Sequence, residues 1–180
     1  MIIEGEIATT QLLERLFIAC EPYWLRYRKR LLNELIIHDF DDNTIPVFVR
    51  CGDPALEFWI ELLDRANHPF LYYIDDNFWK IDGDSALSQY YQHPRIRKSL
   101  EYIVSKASLV LTNSEDLLEF LCYFNKSGKV LPTFFDFSLI KKVVADVSSE
   151  IRIGFAGSPS RLDDLDIIAP LLEPILSSNP

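Results

Sequence analysis

From about residue 45 the chain alternates short apolar runs with stretches in which apolar residues return every three or four positions. That alternation predicts successive βα units and a parallel sheet. The runs are Pro46–Arg50, Phe70–Ile74, Leu109–Thr112 and Lys129–Pro132, rich in the β-branched and aromatic residues of strands covered on both faces. Between them Leu56, Trp59, Ile60 and Leu63 form a helical stripe over Ala55–Ala66, with Pro54 where a first turn tolerates proline. A second stripe, Ile96, Leu100, Ile103 and Val104, predicts a helix over Pro94–Ala107. Ser114 ahead of Glu115 and Asp116 is an N-cap with acidic residues in the first turn, opening a helix to about Phe124 that Gly128 closes.

The first 40 residues are less regular. Arg15–Ala19 is read as the first strand, feeding a helix over Trp24–Leu35, because a helix over Thr10–Cys20 would leave the sheet without its opening strand. At the other end, 143–150 is polar and aperiodic, and Ile151–Gly157 opens a new strand. Ser160 then begins a helix with Asp163, Asp164 and Asp166 in its first turn and Leu165, Ile168, Leu171, Leu172 and Ile175 as its apolar stripe. The fold class expected is α/β, a Rossmann-like parallel sheet flanked by helices over residues 1–148, with the first β-α unit of a second Rossmann-like domain over 149–180. A lone β-α unit cannot cover its own apolar face, so the chain is expected to be a piece of something longer.

Composition narrows the classes. With 48% hydrophobic and 25% charged residues the chain has the make-up of a packed globular protein, of a length that suits one full α/β domain. No apolar run reaches the roughly 18 residues of a membrane span and no secretory signal opens the chain, so a cytoplasmic location is expected. Cys20, Cys51 and Cys122 are odd in number and far apart, which argues for buried reduced thiols rather than a disulfide framework or a zinc site. A net charge of −9 disfavours nucleic acid and leaves at most weak contact with a membrane surface. The one basic patch is Arg26, Arg28, Lys29 and Arg30, interleaved with Tyr23, Trp24 and Tyr27.

Open parallel sheets bind ligands outside the carboxyl ends of their strands. Those ends carry Arg50, Asp53, Asn113, Ser114 and Glu115 as substrate-binding candidates and Asp75 and Asp76 as catalytic ones. Asp75 and Asp76 follow a buried strand beside large aromatics, a setting for catalytic carboxylates or for acceptors of sugar hydroxyls; the alternative is that Asp75 caps a turn and Asp76 is solvated. Asp82-Gly83-Asp84 reads as a turn, not a metal pair, since the further oxygen ligands of a cation loop are missing. Gly154, Gly157, Ser158 and Arg161 lie between a strand and a helix, the context that receives phosphate. Two glycines there are short of a dinucleotide fingerprint and no Gly-Lys-Ser/Thr ends the loop, so NAD or ATP is not expected. His38, His68 and His93 are scattered and read as surface or capping groups.

The succession Phe48-Val-Arg50, Tyr72-Tyr-Ile-Asp-Asp-Asn-Phe-Trp79, Ala107-Ser-Leu-Val-Leu-Thr-Asn-Ser-Glu115, Lys129-Val-Leu-Pro132 and Ile151-Arg-Ile-Gly-Phe-Ala-Gly-Ser158 resembles group 1 glycosyltransferases of the two-Rossmann-domain type over about residues 45 to 177. The resemblance implies that residues 1–148 form the acceptor-side domain and 149–180 begin the donor side. It also implies that the parent enzyme moves a sugar from a nucleotide-sugar to a glycan, lipid or other hydroxyl acceptor, with no metal or other cofactor required. In such a cleft Ser114 ends a strand near the substrates and the Gly154 to Arg161 loop faces the donor phosphates. Where family members often carry a histidine after the strand corresponding to Phe70–Ile74, Asp75 and Asp76 stand here. The family's donor-holding glutamates have no counterpart in the chain, so the polypeptide alone is expected to be inactive. The reading from another class is a non-catalytic α/β binding or assembly module; a nucleotide-dependent oxidoreductase ranks third for want of the third glycine.

Overall fold

A computed structural model describes residues 1–3, 8–22, 25–133, 154 and 162–178. It divides into two units, Met1–Leu139 and Ile140–Pro180. Unit 1 is built on six parallel strands: β1 (Ile2–Ile3), β2 (Lys29–Arg30), β3 (Val47–Val49), β4 (Leu71–Tyr73), β5 (Leu109–Thr112) and β6 (Gly128–Val130). Their order is β2-β1-β3-β4-β5-β6, so the direction of winding reverses once, between β1 and β3. This is the α/β, Rossmann-like sheet expected from the alternation of runs and stripes.

Side chains on a strand alternate between faces, and the two faces here have different covers. Ile3, Phe48, Tyr72, Ile74 and Val110 point into the larger core. There they meet Leu56, Ile60 and Leu63 of α2 (Leu56–Arg65), Leu100, Ile103 and Val104 of α4 (Pro94–Lys106), and Leu117 and Leu121 of α5 (Glu115–Leu121). Burying side chains of this size contributes about 1.5–3 kcal/mol each, so the triplets spaced three and four apart fix which way each helix faces. On the opposite face Ile2, Val47, Val49 and Tyr73 pack with Leu13 of α1 (Ala8–Cys20). Two sets of crossovers on opposite faces follow from the single reversal in strand order, because connections between parallel strands are right-handed as a rule.

Local chemistry sets the ends of the helices. Ser114 caps α5 by accepting from the Leu117 amide at 3.3 Å, and His93 caps α4 by accepting from the Arg95 amide at 3.2 Å, with Pro94 in the first turn. Helix α2 stops in a Schellman turn: the His68 amide reaches the Leu63 carbonyl at 2.9 Å, and the Asn67 amide reaches Asp64 at 3.1 Å with Asn67 at φ +51°. Gly128 lies so close under α5 that a methyl group there would collide with Leu118 Cδ1, so the predicted helix exit is in fact the first residue of β6. In unit 2 the described residues form α6 (Leu162–Ser178), with Pro170 and Pro174 inside it and Ile167 and Leu171 exposed.

Several expectations are corrected. Arg15–Ala19 is not a strand but the end of α1, and Trp24–Leu35 is not a helix: its described part holds β2 and a single 3-10 turn at Leu32–Glu34, with a second turn at Ile37–Asp39. The first strand is the two-residue Ile2–Ile3, which the pattern did not reveal. A seven-residue helix, α3 (Ala86–Gln92), also escaped notice. Of the cysteines only Cys51 is buried; Cys20 and Cys122 are half-exposed, and all three are free. The expected strand Ile151–Gly157 lies outside the described residues apart from Gly154. Among the described residues no helix is long and apolar enough to cross a membrane.

Candidate functional site

Parallel strands end together, so the carboxyl edge of the sheet gathers the residues that follow β3, β4 and β5. Arg50 follows β3. Its amide donates to the Tyr73 carbonyl at 2.9 Å, extending the β3–β4 ladder by one rung, and its backbone then turns into the left-handed region at φ +54°. That conformation is uncommon outside glycine and asparagine and is held against a cost of about 1–2 kcal/mol. The side chain shows what is gained. Nη2 donates to Asp76 Oδ2 at 2.7 Å, Nε lies 3.4 Å from Asp75 Oδ1, and the guanidinium carbon stands 5.1 Å over the Phe78 ring.

The floor beneath this clamp is aromatic. Phe78, fully buried, stacks on Tyr91 of α3 with centroids 4.0 Å apart and planes 4° from parallel. The Tyr91 hydroxyl donates back to the Arg50 carbonyl at 3.4 Å, and the Tyr72 hydroxyl donates to the Cys51 carbonyl at 3.1 Å. The backbone leaving β3 is therefore tied to β4 and to α3 by side chains. Asp75 is largely covered while Asp76 is half-exposed, so one carboxylate braces the arginine from inside and the other faces solvent with it. One guanidinium against two carboxylates leaves a net negative charge and several lone pairs, a surface suited to hydroxyl groups. The phenol of Tyr73 is pushed up to about 12, by burial first and then by the negative charge of Asp75.

Nearer the reversal of strand order, a cavity of about 400 Å³ lies between the loops after β2 and β3, with Leu31, Leu32, Ala55 and Trp59 as apolar lining and Asn33 and Asp53 as polar groups. Its size and its mostly apolar lining with a few polar groups are those of small-ligand sites. Trp59 is fixed by edge and tilted contacts with Phe58 and Phe40, at 5.2 and 5.3 Å between centroids.

The sequence-derived candidates thus separate. Arg50, Asp75 and Asp76 come together in one clamp. Asp53 reaches the neighbouring cavity, although its Oδ1 is already used by the Ala55 amide at 2.8 Å in the turn that starts α2. Ser114 is spent as the cap of α5, Glu115 is exposed in its first turn, and Asn113 is half-buried at the end of β5. Gly154 is exposed, and among the described residues a side chain there would meet nothing within 4 Å. Gly157, Ser158 and Arg161 lie outside the described residues. Asp82–Asp84 forms the turn before α3, with Gly83 at φ +99° and the Asp82 carbonyl accepting from Ser88 Oγ at 2.9 Å. Sequence reasoning missed Tyr91, Trp59 as a cavity wall, and Asn33. Comparison with protein-family models, with curated proteins and with solved structures returns no match to this chain.

Proposed function

We propose that unit 1 is the acceptor-side domain of a glycosyltransferase and that its carboxyl edge receives a hydroxyl-bearing acceptor. The observation that carries this reading is the Arg50–Asp75–Asp76 clamp, built on left-handed backbone at the ends of adjacent strands and at the same edge of the sheet as the Trp59 cavity. Strained backbone persists where the surroundings hold it in place, and functional sites are where such strain concentrates. Carboxylates held by an arginine are oriented, so they accept hydrogen bonds from hydroxyls in a fixed geometry, while an aromatic wall covers the apolar face of a ring.

In this reading Asp76, the more open carboxylate, contacts the acceptor, Asp75 positions Arg50, and the acceptor ring lies against Trp59. A base for the acceptor hydroxyl would come from this pair, and the nucleotide-sugar would be held by the donor-side domain. Positioning two substrates in one cleft supplies much of the rate in such transfers. Saturation-transfer NMR of the chain with a panel of mono- and disaccharides tests the acceptor role. Binding by at least one of them is expected, weakened about tenfold by Asp76→Asn and by Trp59→Ala, as loss of a charge-assisted hydrogen bond or a stacked ring predicts. Absence of binding across the panel, or binding indifferent to both substitutions, would overturn the reading.

A further inference from the structure

The opposite edge of the sheet, where the strands begin, carries a second cavity. It measures about 370 Å³ and is lined by Arg26, Tyr27 and Arg28 ahead of β2 and by Asn43, Thr44 and Ile45 ahead of β3, with Met1, Leu25 and Asp41 completing the wall. The basic patch of the sequence is thereby sorted. Lys29 is paired with Glu14 at 3.2 Å. Arg28 and Arg30 share a single carboxylate, Asp39, which is 2% exposed and lies 3.7 and 3.3 Å from them. Two guanidinium groups against one buried carboxylate leave a positive charge uncompensated, and Arg28 is the member of the pair that lines the cavity. Arg26, also in the lining, is exposed and has no ion-pair partner among the described residues.

Among the described lining residues one negative group opposes these cations. Asp41 lines the cavity too, but its Oδ1 is taken up by the Thr44 hydroxyl at 2.7 Å and the Asn43 amide at 3.0 Å. The balance is still positive. The amino group of Met1, which donates to the Ile45 carbonyl at 2.7 Å, is held down at about 6 by burial and then by the charge of Arg28. A cation is thus disfavoured at this spot in a chain whose net charge is −9.

We infer that this cavity binds a phosphate monoester with an apolar body, its phosphoryl group between Arg26 and Arg28 and its body against Tyr27 and Ile45. Guanidinium groups present paired donors that match phosphate oxygens, and the volume falls within the roughly 300–1,000 Å³ of small-ligand sites. The site is separate from the clamp at the carboxyl edge, and the inference does not depend on the sugar-transfer reading.

Phenyl phosphate titrated into the 15N-labelled chain, followed by amide shifts, is the test. Saturable shifts are expected at Arg28, Asn43 and Thr44, with phenol producing none of them. Arg26→Ala should weaken phenyl phosphate about tenfold and Arg26→Glu more, the loss expected for a charge-assisted contact. Because Arg26 is exposed, both variants should keep the dispersion of the wild-type spectrum, which separates lost binding from lost fold. Sedimentation with vesicles containing phosphatidic acid, whose headgroup is a phosphate monoester, and with phosphatidylcholine vesicles distinguishes a lipid headgroup from a soluble ester. Selective Arg26-dependent retention on the former identifies a lipid phosphate; phenyl phosphate binding without retention identifies a soluble one. No saturable shifts and no retention, or binding unchanged by Arg26→Glu, would sink the inference.

Discussion

At the scale of single residues, Arg50 carries the most information, because its backbone and its side chain make opposing contributions. Its φ of +54° disfavours any side chain, while its guanidinium engages Asp75, Asp76 and the Phe78 ring. Two substitutions separate these contributions. Arg50→Ala removes the clamp and keeps the strain, whereas Arg50→Gly removes both. Glycine enters the left-handed region without steric cost, so Arg50→Gly should be the more stable by about 1 kcal/mol, read as the difference in urea midpoints at equal slope. Equal stabilities would mean that the backbone relaxes once the side chain is gone. Thr112 offers a second residue-scale test. It is fully buried at the end of β5, and its hydroxyl has no hydrogen-bond partner among the described residues. A buried hydroxyl left without a partner costs roughly 1–3 kcal/mol. Thr112→Val should therefore raise the thermal midpoint by about 2–4 °C, the shift that roughly 1 kcal/mol produces in a domain of this size.

At the scale of elements, helices α2, α4 and α5 are held by stripes and caps, and one side chain from outside closes the end of α4. Asn125, in the turn before β6, donates through Nδ2 to the carbonyls of Val104 and Ala107, both at 2.7 Å. Val104 lies in the last turn of α4, where the intrahelical ladder runs out and the Ala107 amide reaches its carbonyl at 3.3 Å, and Ala107 is the residue that caps the helix. Asn125→Ala should cost about 1–2 kcal/mol, and Asn125→Asp more, because it aims an acceptor at two acceptors. Hydrogen exchange should locate the effect in faster opening of the end of α4, with the β3–β4 amides unchanged.

The same elements explain what the sequence disclosed. Strands β3 to β6 and helices α2, α4 and α5 were legible because each is a periodic apolar segment between turn residues, and locating the strand ends located Arg50, Asp75 and Asp76. The first 40 residues were not legible, since β1 is only Ile2–Ile3 and β2 only Lys29–Arg30, each made a strand by its neighbours in the sheet rather than by its own pattern. The run Arg15–Ala19 looks β-like locally, yet within α1 it is Leu13 and Phe17, four apart, that meet the sheet. Helix α3 was hidden because its inward face places Ser88 three residues before Tyr91; that buried hydroxyl, satisfied by the Asp82 carbonyl and Ser85, breaks the apolar stripe. With α3 unseen, Tyr91 and its stack under Arg50 stayed unseen too.

At the scale of unit 1, the balance of charge differs between two places: Arg26 and Arg28 outnumber Asp41 in the cavity where the strands begin, and Asp75 and Asp76 outnumber Arg50 in the clamp where β3 and β4 end. This arrangement couples the candidate site to global stability through Tyr73, which lies on β4 two residues before Asp75. Burial first, and then the negative charge of Asp75, lift its phenol from an ordinary 10.0 to about 12. Below pH 10 the phenol is neutral in folded and unfolded chains alike and contributes no pH dependence. Between pH 10 and 12 the unfolded chain releases this proton while the folded chain retains it. The unfolded state then binds fewer protons, so the stability conferred by Tyr73 falls as pH rises through that window. Urea unfolding across the window should show this decline in the wild type and a shallower one in Tyr73→Phe. Near-ultraviolet absorbance of phenolate should show one late-titrating group fewer in Tyr73→Phe than in the wild type. Asp75→Asn removes the second cause and leaves the first, so it should move that late group part of the way back toward 10. A late titration that ignores Asp75→Asn would mean that the carboxylate's field does not reach β4, and that the clamp is electrically isolated from the sheet it stands on.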